Sequence, residues 1–193
     1  MSLKRIVILF SGEGTNLQNL IEKLHHRKFN GMQIQIVAAI TNNPDARGIK
    51  RARKLGIETR VIDHRVFENR EAFDQKLVEE IEAYDPDLTV LAGFMRILTP
   101  VFTKRVKAVN IHPSLLPLFR GANAIEESYN SQMRVAGVTV HWVDETLDGG
   151  TIIAQRCFER EEGEDRERFE ERIHKLEYEI YPETLVRILT KGH

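Results

Sequence analysis

The chain has little of what marks disulfide-stapled, metal-bound or membrane-embedded proteins. Its single cysteine, Cys157, excludes an internal disulfide. Its seven histidines form no HExxH motif and no His/Cys cluster at ligand spacing, so no metal is expected. No apolar run is long enough to cross a bilayer. The first ten residues lack a long apolar segment followed by a small-residue cleavage site, so no signal peptide is expected. Excess charge is also missing: 28 basic residues face 29 acidic ones, for a net charge of -1. That balance argues against a nucleic-acid binder held by phosphate contacts. The expected setting is the cytoplasm, with no membrane partner. There is no internal repeat, low-complexity tract or clear linker.

What remains is an ordinary globular composition. With 193 residues and a 41% apolar share, the chain is long enough for one domain with a substantial core. Arg5 to Phe10 reads as a buried parallel strand. Leu17, Leu20, Ile21 and Leu24 follow at helical spacing. Further strands are expected at 34–40, 58–62 and 88–92, with helices at 48–55 and 70–84 between them. Alternating strands and helices predict a Rossmann-like α/β fold, a doubly wound and mostly parallel sheet with right-handed crossovers. Residues 138–143 and 151–158 alternate as strands and predict an antiparallel hairpin extending that sheet. A long C-terminal helix closes the chain, with Pro182 expected to interrupt it. The expectation is one domain over 1–193. Its first half, 1–100, would bind phosphate, and its second, 101–193, would hold the catalytic groups and the site of a second ligand.

In doubly wound sheets, ligands bind beyond the carboxyl ends of the strands. Three segments are expected at that edge. The first is Ser11-Gly12-Glu13-Gly14-Thr15-Asn16, a glycine-containing turn opening a helix, which aims free N–H groups at an anion. It lacks the third glycine of a dinucleotide fingerprint and the Walker lysine, so a small phosphate fits better than NAD or ATP. A tight turn with an N-cap and no ligand is the other reading. The second is Gly93 to Leu98, an apolar stretch that reads either as a helix packed on the sheet or as a wall for a flat heterocycle. Arg70 and Arg96 offer fork-shaped donors to a carboxylate, or are solvated surface charges.

The third segment is Asn110-Ile111-His112-Pro113-Ser114-Leu115-Leu116-Pro117. Asn110 and His112 sit two apart at a strand end, so their side chains leave one face. An amide donor beside an imidazole suits acyl transfer, where an oxyanion is stabilised and a proton moved. A turn former beside a satisfied polar residue gives the same pattern. Asp148, in Asp148-Gly149-Gly150, is either part of a simple turn or a carboxylate held over the His112 ring, where it favours the imidazolium. His141, on the alternating strand, reads as structural.

Taken together, SGEGTNL at 11–17, LAGFMRIL at 91–98, NIHPSLLP at 110–117, LDGG at 147–150 and EYEIYP at 177–182 resemble the 10-formyltetrahydrofolate-dependent formyltransferases. The first of these motifs is similar to the branch that acts on glycinamide ribonucleotide. The resemblance implies formyl transfer from 10-formyltetrahydrofolate, as co-substrate, to the amine of N1-(5-phospho-D-ribosyl)glycinamide in purine synthesis. It implies Asn110, His112 and Asp148 as the catalytic trio. It implies Gly14, Thr15, Asn16 and Glu177 as contacts to the ribonucleotide. Arg70, Met95, Arg96, Ile97, Leu98 and Asn110 are the implied folate contacts, with the 144–148 loop as a wall over the pterin. One loop departs from the pattern: Arg120-Gly121 and Asn123 stand where that branch carries Pro-Gly and a nearby histidine, and the Arg-Gly is similar to tRNA formyltransferases. Another folate formyl-handling enzyme, a tRNA formyltransferase or a formyltetrahydrofolate hydrolase, remains an alternative. So does a non-catalytic nucleotide- or folate-binding protein of the same fold.

Overall fold

The computed structural model describes residues 2–191. β1 (Ser2–Phe10) leads into α1 (Thr15–Leu24), whose Leu17, Leu20, Ile21 and Leu24 are all buried. β2 (Lys28–Phe29) and β3 (Met32–Thr41) follow, then α2 (Gly48–Lys54) and β4 (Thr59–Val61). α3 (Arg70–Glu82) stops short of Tyr84, whose hydroxyl lies outward between Arg60 and Glu58. β5 (Leu88–Leu91), the short α4 (Pro100–Thr103) and β6 (Ala108–His112) complete the parallel part. After α5 (Ala124–Asn130) come β7 (Val135–Trp142), β8 (Ile152–Glu159) and α6 (Arg166–Lys191).

The strands form one sheet in the order β2-β3-β1-β5-β6-β7-β8, with β4 also paired to β3. β4, β3, β1, β5 and β6 run parallel, while β6–β7 and β7–β8 are antiparallel, the predicted hairpin. Because β1 alternates across the sheet, it feeds two cores. Ile6, Ile8 and Phe10 pack under α1, α2 and α6, whereas Val7 and Leu9 pack under α3 and α4. Each such side chain contributes roughly 1.5–3 kcal/mol by leaving water, and helices on both faces explain why the Ile6–Phe10 run of β1 is apolar without a break.

Pro182 does not interrupt the last helix, contrary to the sequence expectation; α6 runs unbroken for 26 residues. A proline inside a helix orphans the carbonyl four residues earlier. Here that is Tyr178, whose oxygen accepts from Asn19 Nδ2 at 3.0 Å and from Lys23 Nζ at 2.8 Å. α1 therefore supplies the donors that Pro182 removes. One turn on, the fully buried Tyr181 hydroxyl shares its proton between the Leu91 carbonyl (2.6 Å) and the Val109 carbonyl (3.1 Å). Burial pushes the Tyr181 phenol well above its ordinary range, so it remains a donor.

Candidate active site

Register sets the site. Leu9 pairs with Leu91, Leu91 with Asn110, and Asn110 with His141. Strands lie about 4.8 Å apart, so this row brings the turn after β1, the loop after β5 and the end of β6 side by side. Residues directly opposite on paired strands share a face. His141 and Thr139 of β7 therefore join Asn110 and His112 of β6 on one side of the sheet.

Asn110, His112 and Asp148 do come together. His112 is 4% exposed, and its Nδ1 lies 3.5 Å from Asp148 Oδ2, within ion-pair range and longer than a hydrogen bond. Its Nε2 is 2.7 Å from the Phe119 carbonyl, which can only accept, so Nε2 carries a proton in this arrangement. Asp148 Oδ2 accepts the Gly121 N–H at 2.9 Å, and its Oδ1 lies 3.8 Å from His141 Nε2. The Arg120-Gly121 segment thus touches Asp148 through the backbone N–H of Gly121.

His141 lies against both Asn110 and Asp148. Its Nδ1 donates to its neighbour's carbonyl, Trp142 O, at 2.8 Å. Burial, only partly offset by that carbonyl and Asp148, holds its imidazole below the ordinary value of 6.5. The ring is then neutral at pH 7, and Nε2 is left as an acceptor facing Asn110 Nδ2 at 3.4 Å. One amide hydrogen of Asn110 is held by His141, which aims the other. The alternation of Thr139 and His141 was the available signal, but it needs the β6–β7 register to become a location.

Local geometry explains the motif residues around these side chains. Asp148 has φ +49°, a left-handed conformation that Asp tolerates better than most residues. A Cβ on Gly150 would lie 1.8 Å from the Trp142 carbonyl oxygen, so only glycine fits there. The loop after His112 is pinned from β7 and β8: Leu116 N donates to Thr139 Oγ1 at 3.0 Å, and Gln155 Nε2 donates to the Leu116 carbonyl at 2.8 Å.

At the turn after β1, Gly14 is buried with φ +73°, and a Cβ there would meet the Gly48 Cα at 2.5 Å. Gly14 thus lets the starts of α1 and α2 touch. No side chain caps α1, so its first-turn N–H groups, those of Thr15 and Asn16 among them, remain for an anion. Asn16 Nδ2 donates to Glu177 Oε2 at 3.3 Å, which brings the predicted ribonucleotide contacts of α1 and α6 together. Asn16 Oδ1 is buried without a hydrogen-bond partner among the described residues.

Gly93 to Leu98 is an irregular loop, not a helix. Ser11 ties it to the first turn: Ser11 N donates to the Gly93 carbonyl at 2.9 Å, and Met95 N donates to Ser11 Oγ at 2.8 Å. Buried Asp74 holds the far end through Thr99 N and Oγ1 at 2.6 and 2.7 Å. Between these anchors Met95 and Ile97 are 65% and 52% exposed, and Leu118 and Leu147 are also exposed on the loops after β6 and β7. These are four of the nine large apolar side chains left open among the described residues, and they suit the face of a flat ring. Arg96 stacks its guanidinium over the Phe73 ring at 5.7 Å. Arg70 is exposed in the first turn of α3, outside this hydrogen-bonded cluster. Among the described residues no group of three His, Cys, Asp or Glu is placed to hold a metal ion, and no helix is long and apolar enough to cross a membrane.

An αβα sheet with an amide, two imidazoles and a carboxylate at its carboxyl edge is the architecture of a group-transfer enzyme. The chain belongs to the formyl transferase family, whose model matches residues 4–185. Among solved structures it is similar to phosphoribosylglycinamide formyltransferase from Campylobacter jejuni, with 55% identity, a TM-score of 0.95, and coverage of 97% of this chain and 98% of that one. The phosphoribosylglycinamide formyltransferase of Bacillus subtilis is 34% identical over 97% of this chain and 95% of its own length. The bovine trifunctional purine biosynthetic protein adenosine-3 is 41% identical over 94% of this chain, which spans 18% of that much longer relative.

Proposed function

We propose that the chain transfers the formyl group of 10-formyltetrahydrofolate to the amine of N1-(5-phospho-D-ribosyl)glycinamide, a step of purine synthesis. The observation that carries this reading is the approach of Asp148 to His112 and, through His141, to Asn110. The relatives named above support the same reaction.

The chemistry follows from those atoms. The amine forms a bond to the formyl carbon, and the carbonyl electron pair moves onto oxygen. Asn110 Nδ2–H and the His112 ring donate to that oxyanion. A formyl oxygen competes with the Phe119 carbonyl for the His112 Nε2 proton, one acceptor replacing another. Loss of one such donor costs about 3–4 kcal/mol of barrier. Asp148 takes the proton released by the amine and returns it to the folate nitrogen as the old C–N bond breaks. The balance is one formyl group and one proton moved, with no change of oxidation state. Holding both substrates in contact supplies much of the remaining acceleration.

The two substrates divide the site. Gly14, Thr15 and Asn16 hold the phosphate on the uncapped start of α1, and Glu177 accepts from ribose hydroxyls. Met95 to Leu98 and the 144–148 loop enclose the pterin, Arg96 supports that loop, and Arg70 reaches a folate carboxylate. In this reading residues 1–100 contribute the phosphate site and 101–193 the catalytic groups of one domain. Both substrates are small soluble metabolites, which goes with a cytoplasmic location and with no nucleic-acid or membrane partner.

The test is direct. The chain is mixed with glycinamide ribonucleotide and 10-formyltetrahydrofolate, and release of tetrahydrofolate is followed. Ribonucleotide-dependent release is expected. Release that depends only on water, or on aminoacylated tRNA, would overturn the assignment.

A further inference from the structure

Glu177 poses an electrostatic problem. It is a 5% exposed carboxylate, joined through Asn16 to the turn that would hold a phosphate. Two anions side by side in a partly dry site repel each other unless a cation stands between or beside them. The turn itself brings none to Glu177. His174, one helical turn earlier on α6, does.

His174 Nδ1 lies 2.8 Å from Glu177 Oε2, the same oxygen that accepts from Asn16. Its Nε2 lies 3.5 Å from Glu170 Oε1, and its ring stacks on Tyr178 with centroids 6.3 Å apart. α1, packed against this face, contributes Asn16 and Lys23, the latter held on the Tyr178 carbonyl. The imidazole is thus fixed from three sides, with carboxylates at both nitrogens and its side chain 39% exposed. The Glu177 hydrogen bond, more than offsetting burial, raises its pKa above the ordinary 6.5.

We propose that His174 is a positioning residue for the ribonucleotide. Its imidazolium cancels the charge of Glu177, so that the phosphate can sit at the neighbouring turn while Glu177 accepts from the ribose hydroxyls. Asn16, whose N–H is used by Glu177, keeps its buried Oδ1 for a donor such as a hydroxyl or the glycinamide N–H. The inference rests on the ribonucleotide reading and adds a second condition to it: affinity for this substrate, and not for the folate, depends on the charge of one imidazole.

The experiment measures KM for glycinamide ribonucleotide and for 10-formyltetrahydrofolate separately, from about pH 6 to about pH 9, in the unaltered chain and in His174→Gln. Glutamine keeps a hydrogen bond to Glu177 and removes the charge. In the unaltered chain the ribonucleotide KM should rise roughly threefold to tenfold as the imidazole loses its proton. In His174→Gln it should begin at the raised value and lose that rise, with the folate KM and kcat little changed. A merely structural role would move both KM values together and leave the pH profile as it was. A second readout does not use activity: in Glu177→Gln, the His174 ring NMR signal should titrate at lower pH than in the unaltered chain. A constant ratio of ribonucleotide KM between the two chains across pH overturns the inference alone. Absence of ribonucleotide-dependent turnover in the unaltered chain overturns both it and the reading beneath it.

Discussion

Half-buried Asp148 and buried Glu177 are both carboxylates flanked by histidine, yet their surroundings push His141 and His174 in opposite directions. His141 is 2% exposed and faces Asp148 at 3.8 Å; desolvation dominates and its pKa falls. His174 keeps more than a third of its side chain in water and meets Glu177 at 2.8 Å; the hydrogen bond dominates and its pKa rises. A carboxylate alone therefore does not decide whether a histidine is charged. Contact distance and access to water do. Beside Asn110 this leaves a ring that gives up its proton early and faces an amide. Beside Glu177 it leaves a ring that keeps its proton to higher pH.

The comparison breaks most visibly at Asp148. Asp148→Asn should lower kcat by about a hundredfold or more, because the proton path is lost while the fold is kept. A change under about fivefold, measured at saturating substrates, would remove Asp148 from the chemistry. His141→Phe should cost less, about tenfold in kcat, since Asn110 keeps its donor but loses the partner that aims it. Restoration by His141→Gln, which again presents an acceptor, would separate aiming from packing. Tyr181→Phe tests the frame common to both ends. It leaves two buried carbonyls, Leu91 and Val109, without their donor, at a cost of about 1–3 kcal/mol in a urea titration.

The smallest effect is the most direct test of the contrast. By NMR, His141 should titrate below 6.5 and His174 above it. The stability linkage runs in opposite senses. For His141 the unfolded chain binds its proton more readily, so the contribution is complete above 6.5 and lost as pH falls below it. For His174 the folded chain binds its proton more readily, so the contribution is complete below 6.5 and lost as pH rises through the folded value. Titration of both rings on the same side would show that one balance of burial and pairing governs both ends.

Much of this molecule was legible along the chain. The apolar runs and helical stripes located the strands and most helices, because burial on both faces leaves a parallel strand few polar positions. The NIHPSLLP and DGG motifs carried the side chains that the fold brings together, and Gly150 shows why such motifs are short and strict: a single Cβ would collide with the Trp142 carbonyl. Less legible were features whose meaning comes from a distant partner. The sequence around Pro182 reads as an interruption of the helix until Asn19 and Lys23 are seen on the Tyr178 carbonyl. The Gly93–Leu98 stretch reads equally as helix or loop until Ser11 and Asp74 are seen holding its ends.

The sequence by itself determined the alternation of elements, the glycine-bearing turn and the residue types needed for acyl transfer, since these depend on local sterics and on hydrophobic period. Only the tertiary structure decided what those side chains do. Strand register set His141 opposite Asn110, helix packing joined Asn16 to Glu177, and the depth of burial set which histidine gives up its proton more readily. Those are long-range quantities: proton affinity and hydrogen-bond direction depend on the whole dielectric and steric surroundings of an atom, and no stretch of neighbouring residues contains them.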